Sequence, residues 1–177
     1  MLNAQRQSER EMITGEFHYL WGVRHRLKAI ERPGRVHVEI DGDRLFLYVP
    51  SDFDSEARRE LLAKWHREEL RERLPELISK WEPKVERTVS RWSIRRMKTK
   101  WGSCNRETDH IWFNLELATK HPDCLEYIVA YEMAHLIERS HGERFAKLMD
   151  QLFPDWRTRR DLLNDSPLAY QRWDPTE

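Results

Sequence analysis

The sequence predicts a compact α+β protein, on three observations. Arg35–Val49 alternates apolar and polar residues, as in a strand with one covered face. Apolar residues between Leu61 and Trp81 recur at helical spacing, which indicates a long helix with one buried side. A second alternating segment, Ile111–Leu117, precedes a helical stretch that begins at Pro122. We therefore expect a sheet, a long helix, a second small sheet and further helices, in that order.

The N-terminal third is predicted to form a small antiparallel sheet. Phe17–Leu27 and Arg35–Val49 are the predicted strands, and Asp41-Gly42-Asp43 is a hairpin turn signal. Residues 1–13 are polar and charged, so we expect a disordered leader there and a sheet region over residues 14–50.

The long helix follows, with Asp52 or Ser55 as a possible cap. Pro75 is predicted to kink or divide this helix, and Pro83 to end its pattern.

The rest of the chain is predicted as strands followed by helices. Val85–Met97 and Ile111–Leu117 are the predicted strands, and the alternation in the second is typical of a strand covered on one face. Helices are expected over residues 122–138, 145–153 and 156–163, which completes a core over residues 51–165. Residues 166–177 are predicted to form an irregular tail.

Composition excludes several classes of protein. Eight Trp, six Phe and five Tyr supply apolar surface that disordered chains lack. The 31 basic and 31 acidic side chains balance, so a nucleic acid could be bound only at a local patch. Two cysteines and the absence of a signal peptide or an apolar stretch of about 18 residues favour a reduced, cytoplasmic protein without a membrane segment.

The residues with the clearest chemical meaning lie in the segment from Tyr131 to His141. Zinc peptidases with an H-E-x-x-H motif place two His on one side of a helix, and the Glu beside the first activates water. Here Tyr131, Glu132 and His135 have that spacing, with Tyr131 at the first His position. A lone E-x-x-H is expected about once by chance in a chain of this composition, and an isolated His135 is more often a buried, hydrogen-bonded histidine. His141 favours the metal-site interpretation over a buried histidine. Ser140 and Gly142 allow the chain to turn back toward the helix, which places His141 at the spacing of a third zinc ligand.

Further blocks extend the pattern along nearly the whole chain, from about Gly15 to Leu168. They are Gly15-Glu16 with Tyr19-Leu20, Met97–Cys104, Leu125–Val129, His141–Phe145, Pro154–Arg157 and Arg160–Asn164. In their order and spacing these blocks resemble the YgjP-like metallopeptidases, small zincins related to the SprT-like and WLM groups. The resemblance implies a zincin-like fold, a zinc cofactor and peptide or protein substrates. It also implies that His135 and His141 are zinc ligands and that Glu132 is the general base.

Tyr131 departs from that family, which has a histidine at this position. A phenol is normally protonated, since its unperturbed pKa is about 10, and it binds zinc well only as a phenolate. Either the metal site is weakened or Tyr131 is an unusual ligand, and we favour impaired activity.

Substrate contacts can also be predicted. In a zincin an edge strand before the motif helix pairs with an extended peptide, and Ile111–Leu117 holds that place in this chain. Trp112 and Asn114 would then flank the cleft, although a solvent-facing strand surface explains them equally well.

A nucleic acid is a second, weaker candidate partner. A strip of basic and aromatic side chains between residues 92 and 101 could hold a single strand, but outward-facing charges on alternate strand positions explain it better. The strip consists of Trp92, Arg95, Arg96, Lys98, Lys100 and Trp101.

Two functional hypotheses follow. The first is a zinc-dependent peptidase, impaired by Tyr131. The alternative is a non-catalytic module that binds a peptide or a nucleic acid and retains the zincin cleft. Metal content separates them, because one tightly bound zinc per chain favours the first and none favours the second.

Overall fold

The computed structural model describes residues 11–165, which form two small sheets and several helices. The strands are β1 (Phe17–Leu20), β2 (Val23–Glu31), β3 (His37–Asp41), β4 (Arg44–Val49), β5 (Arg91–Arg95), β6 (Gly102–Asn105) and β7 (His110–Asn114). The helices are α1 (Ser55–Val85), α2 (Pro122–Ala134), α3 (Glu143–Leu152) and α4 (Trp156–Asp165), with a 3-10 helix at Leu115–Thr119. The predicted α+β order of sheet, long helix, small sheet and helices is confirmed. The tail predicted over residues 166–177 lies outside the described residues.

The N-terminal sheet has the strand order β1-β2-β4-β3 and is mixed, so the prediction of a purely antiparallel sheet is wrong. Both hairpins are antiparallel, but β2 pairs with β4 in parallel. The hairpin of β3 and β4 pairs with β2 through β4, because β4 is the more apolar of its two strands. Its Leu45, Leu47 and Val49 are fully buried, whereas β3 is at most half-buried and occupies the edge. The predicted turn is present, with Gly42 in the left-handed region at φ 58°.

Helix α1 continues through Pro75 and Pro83 for 31 residues, contrary to the predicted kink and break. Its N-cap is Asp54, not the predicted Asp52 or Ser55, and the Asp54 carboxylate accepts a hydrogen bond from the Ala57 backbone N–H at 2.8 Å. A proline inside a helix costs about 3 kcal/mol. Packing offsets this cost, since buried side chains follow one stripe along the whole helix: Leu62, Ala63, His66, Leu70, Leu74, Ile78, Trp81 and Val85.

The same stripe joins two hydrophobic clusters. Its N-terminal part, through Leu62, packs against the N-terminal sheet, whereas the part from Leu70 to Val85 packs against α2 and the second sheet. Helix α1 therefore contributes side chains to both clusters.

The second sheet has the order β5-β7-β6, so the strand predicted as an edge is central. β7 pairs in parallel with β5 and antiparallel with β6. It takes the middle position because Ile111 and Phe113 are completely buried. Residues 115–117 leave the strand for the 3-10 helix, whose first turn is capped by the Asn114 side chain. The open edge beside the helices belongs to β6.

Residues 11–13, at the end of the predicted leader, pack against the N-terminal sheet. Met12 is 1% exposed and lies in the cluster under the N-terminal sheet. The carboxylate of Glu16 accepts hydrogen bonds from the backbone N–H groups of Glu11 and Met12 at 2.8 and 3.1 Å.

None of the helices between residues 11 and 165 combines the length and the apolarity needed to cross a bilayer.

His66 is a titratable group buried between α1 and the N-terminal sheet. It is 8% exposed, and its Nε2 donates a hydrogen bond to the Tyr19 carbonyl at 3.2 Å. Burial, helped by the nearby His18, lowers the pKa of His66 to about 4.

Replacing His66 with Gln is expected to reduce the loss of stability on acidification. Below about pH 6.5 the unfolded chain protonates His66, whereas the folded chain keeps it neutral down to about pH 4. The folded state therefore loses up to about 3 kcal/mol as the pH falls through this window. Urea denaturation at about pH 7.5 and pH 4.5 measures the effect. Gln still donates to Tyr19 but does not titrate, so an equal loss in both proteins would contradict this explanation.

Candidate active site

A cleft of about 1310 Å³ lies between β6 on one side and α2, the loop after it and α4 on the other. Tyr131, Glu132, His135 and His141 all line it, and Trp112 lies in its wall. The cleft thus collects nearly all of the residues singled out in the sequence.

Helix α2 and the loop that follows it bring three of these rings together. Tyr131 and His135 are one turn apart, and their ring centroids are 4.9 Å from each other. The helix ends at Ala134, and the loop turns back so that the His141 ring lies 4.7 Å from His135 and 6.1 Å from Tyr131. The helix register and the turn residues identified in the sequence are enough to produce this cluster.

The hydrogen bonding of His135 leaves one ring nitrogen available. Nδ1 lies 2.9 Å from the carbonyl oxygen of Glu138, and this acceptor requires Nδ1 to carry the proton. Burial lowers the pKa of His135, so its Nε2 holds a free lone pair at neutral pH. Phe145 stacks on the ring at 4.2 Å and restricts its orientation.

Glu132 is the buried carboxyl group of the site, at 5% exposure. Burial raises its pKa to about 8, although the positive charge of Lys100 acts in the opposite direction. Burial thus stabilises the neutral form of this carboxyl group relative to the charged form. A group with such a shifted pKa in a cleft is typical of a functional site.

Gly102 on β6 makes room for that carboxyl group. A Cβ added to Gly102 would lie 2.6 Å from Oε1 and 2.7 Å from Cγ of Glu132. Sequence reasoning missed this residue, although a glycine inside a strand is a signal of close approach by another group.

Tyr131 is a neutral phenol in this environment. Burial, with the carboxyl group of Glu132 nearby, raises its pKa to about 12. The Cys104 thiol in the same cleft is also neutral, since burial raises its pKa to about 11.

These donors do not complete a catalytic zinc site. Such a site has three protein donors and one open position, but here two imidazoles face a neutral phenol. Between residues 11 and 165 no group of three or more His, Cys, Asp or Glu is arranged to hold a metal ion.

The two predicted substrate residues are in different environments. Trp112 is half-buried in the wall of the cleft, where it stacks on His110 at 3.8 Å and carries the Arg95 guanidinium 4.6 Å from its ring. Asn114 is fully buried, and its amide donates to the carbonyls of Met97 and Lys100 at 3.0 and 2.8 Å. It holds the loop before β6 and does not line the cleft.

The basic and aromatic strip of residues 92–101 is not a continuous surface. Trp101 is 8% exposed and belongs to the core, so it offers no platform for a base. Arg96 pairs with Glu60 on α1 at 2.8 Å, and Arg95 covers Trp112.

Replacing Gly102 with Ala is expected to displace the Glu132 carboxyl group and to destabilise the fold by about 1–3 kcal/mol, because the added methyl overlaps a buried side chain. A crystal structure and urea denaturation measure the two effects. Gly142→Ala is the control, since its added methyl meets only the Ser140 hydroxyl at 3.9 Å. An unmoved carboxyl group in Gly102→Ala would show that the contact does not position Glu132.

Comparison with known proteins supports a family assignment. A comparison with the curated proteins gave no match. Among solved structures, the metallopeptidase zymogen abylysin of Pyrococcus abyssi is similar, with 17% identity and a TM-score of 0.46 over 50% of this chain and 90% of abylysin. The model of the family described as "YgjP-like, metallopeptidase domain" matches residues 1–166, which is nearly the whole chain. The chain therefore belongs to the YgjP-like family of metallopeptidase domains.

Proposed function

We propose that this chain binds an extended segment of a protein substrate in the cleft and that its peptidase activity is impaired at Tyr131. In this proposal His135 and His141 are zinc ligands, Glu132 is the general base, and Tyr131 is the position that lacks an effective donor. The supporting observation is the convergence of the three rings, 4.7 to 6.1 Å apart, beside the buried Glu132.

The edge strand β6 offers a backbone for an extended peptide. The Trp101 carbonyl accepts a hydrogen bond from Asn114, so the backbone groups of Trp101 face β7. Because strand residues alternate, the polar backbone groups of Gly102 and Cys104 face away from β7. A peptide that added a strand here would lie in the cleft opposite α2. Strand β6 thus replaces Ile111–Leu117 as the proposed platform.

Charge in the cleft favours acidic substrates. Five basic side chains line it, against two carboxyl groups. The basic residues are Arg87, Lys100, Arg106, Arg139 and Arg160, and the acidic ones are Glu107 and Glu132, of which Glu132 has a raised pKa. Acidic side chains of a bound segment would therefore meet a positive potential.

Replacing Tyr131 with His is expected to tighten zinc binding at least tenfold. The change supplies a third imidazole, one helical turn before His135. Loss of even an indirect supporting contact typically costs about 10- to 100-fold in metal affinity, so gain of a direct ligand should have at least that effect. Competition with a chromophoric chelator measures the affinity. Cleavage of labelled unfolded casein should also increase, and an added Glu132→Gln substitution should abolish that increase.

Tyr131→Phe is the matched control, because it removes only the phenol oxygen. We expect the same zinc affinity as in the parent. Weaker binding in Tyr131→Phe, or equal binding in the parent and Tyr131→His, would show that the phenol is a competent ligand or that the metal binds elsewhere.

Replacing Trp112 with Ala is expected to weaken binding of labelled unfolded casein by about tenfold, because a large half-buried aromatic surface in the cleft is lost. Fluorescence anisotropy measures this binding. Trp92→Ala, on the neighbouring strand β5 and outside the cleft lining, should have little effect. Equal losses in both variants would argue against a peptide in this cleft.

A non-catalytic peptide-binding module is the second candidate, and the neutral Tyr131 phenol favours it. Zinc content after purification under metal-replete conditions separates the two. One tightly bound zinc per chain supports the peptidase, and a zinc-free protein that still binds casein supports the module.

A further inference from the structure

The N-terminal sheet has an outer face that no described helix covers. Its inner face packs through Leu27, Leu45 and Leu47 against α1. Because side chains alternate along a strand, the neighbours of these residues point to the opposite side. This outer face carries, within the described residues, Phe17 and Tyr19 of β1, Arg24, Arg26 and Lys28 of β2, Arg44, Phe46 and Tyr48 of β4, and His37, Glu39 and Asp41 of β3.

A line of positive charge runs along the middle of the outer face. Arg24, Arg26 and Lys28 are exposed and follow one another at every second residue, about 6.6 Å apart at the usual strand rise. None of the three forms an ion pair with a carboxylate among residues 11–165. The acidic residues of this face, Glu39 and Asp41, lie on the far edge strand β3. The chain has no net charge, so this positive line is a local property of the sheet.

Aromatic rings on the two neighbouring strands lie beside these cations. The Arg24 guanidinium lies 4.3 Å from the Phe17 ring, and the Lys28 ammonium lies 5.8 Å from Phe46. Phe46 and Tyr48 are 6.1 Å apart with their planes within 17° of each other. Tyr48 already stacks on His37 at 4.4 Å and has the Arg32 guanidinium 4.1 Å from its ring, so Phe17 and Phe46 are the rings that we consider for stacking. The outer face thus places aromatic rings of β1 and β4 next to the cationic side chains of β2.

Single-stranded nucleic acid has the chemistry that matches this combination. Its phosphates repeat along a line, and its unpaired bases stack on aromatic rings or on guanidinium planes. A duplex would use only the cations, since its bases are already stacked. An anionic membrane surface would likewise use the cations and leave the ring planes without a role.

We propose that the outer face of the N-terminal sheet binds single-stranded nucleic acid, with Arg24, Arg26 and Lys28 on phosphates and Phe17 and Phe46 stacked on bases. This site is separate from the cleft, where Trp112 and Glu132 lie, and does not depend on the function proposed for it.

Fluorescence anisotropy with labelled oligo-dT and oligo-U of about 12 nucleotides tests the proposal on the full chain. The affinity should fall with salt, with a slope of log K against log salt of about −2 for three phosphates on a single strand. Changing Arg24, Arg26 and Lys28 together to Ala should weaken binding more than tenfold and remove most of that slope. No binding at low salt would overturn the proposal.

The matched control removes the same charge elsewhere. Lys64, Arg71 and Lys147 are exposed on α1 and α3, and changing all three to Ala leaves the outer face intact. This control should bind as the parent does. An equal loss in the two triple variants would overturn the proposal, because only net charge would then matter.

Stacking is tested separately from charge. Phe46→Ala should weaken binding about fivefold or more, whereas Tyr48→Phe, which retains a ring, should not. If Phe46→Ala does not fold, Phe17→Ala tests stacking in its place. Phe17 is 37% exposed, so its removal should disturb the fold less. Unchanged affinity in the alanine variants, together with equal binding to phosphatidylserine vesicles, would assign the face to anionic lipid and overturn the nucleic-acid proposal.

Discussion

The contact between the Glu132 carboxyl group and Gly102 sets the distance between α2 and β6, and the cleft depends on that distance. Only a residue without a Cβ allows the carboxyl group to lie over the strand, because an added atom would be 2.6 Å from Oε1. The same contact removes Glu132 from water and so raises its pKa to about 8. One packing constraint thus fixes both the width of the cleft and the charge state of its buried acid.

The ring cluster formed by α2 and the loop after it combines two imidazoles with one phenol. His135 is oriented by Glu138 and Phe145, and His141 is brought back to it by the loop. Tyr131 packs against both rings, at centroid distances of 4.9 Å from His135 and 6.1 Å from His141. Burial raises the pKa of its phenol to about 12, so this member of the cluster is neutral.

Helix α1 links this cleft to the N-terminal sheet. Its buried stripe packs against the sheet near Leu62 and against the core near Leu74 and Trp81. The turn between β1 and β2 adds a second connection, because the Trp21 backbone N–H donates to the Ala118 carbonyl at 2.8 Å. The inner face of the sheet packs against α1, whereas no helix between residues 11 and 165 covers its basic and aromatic outer face.

The sequence by itself determined what depends on local periodicity. It predicted the order of sheet, long helix, small sheet and helices, the turn at Gly42, and the placement of Tyr131 and His135 on one side of a helix, because a helix or strand repeats its side chains at a fixed interval. It did not predict strand β6, because Gly102–Asn105 has no apolar alternation. It also carried the family resemblance that the match over residues 1–166 confirms. Only the tertiary structure decided that β7 is central, that β4 lies beside β2 in parallel, and that α1 passes through its prolines. Those outcomes depend on which apolar surfaces meet across long stretches of chain. Asn114 illustrates the difference, since its alternating position suggested a cleft residue, but the loop that packs over it buries its amide completely.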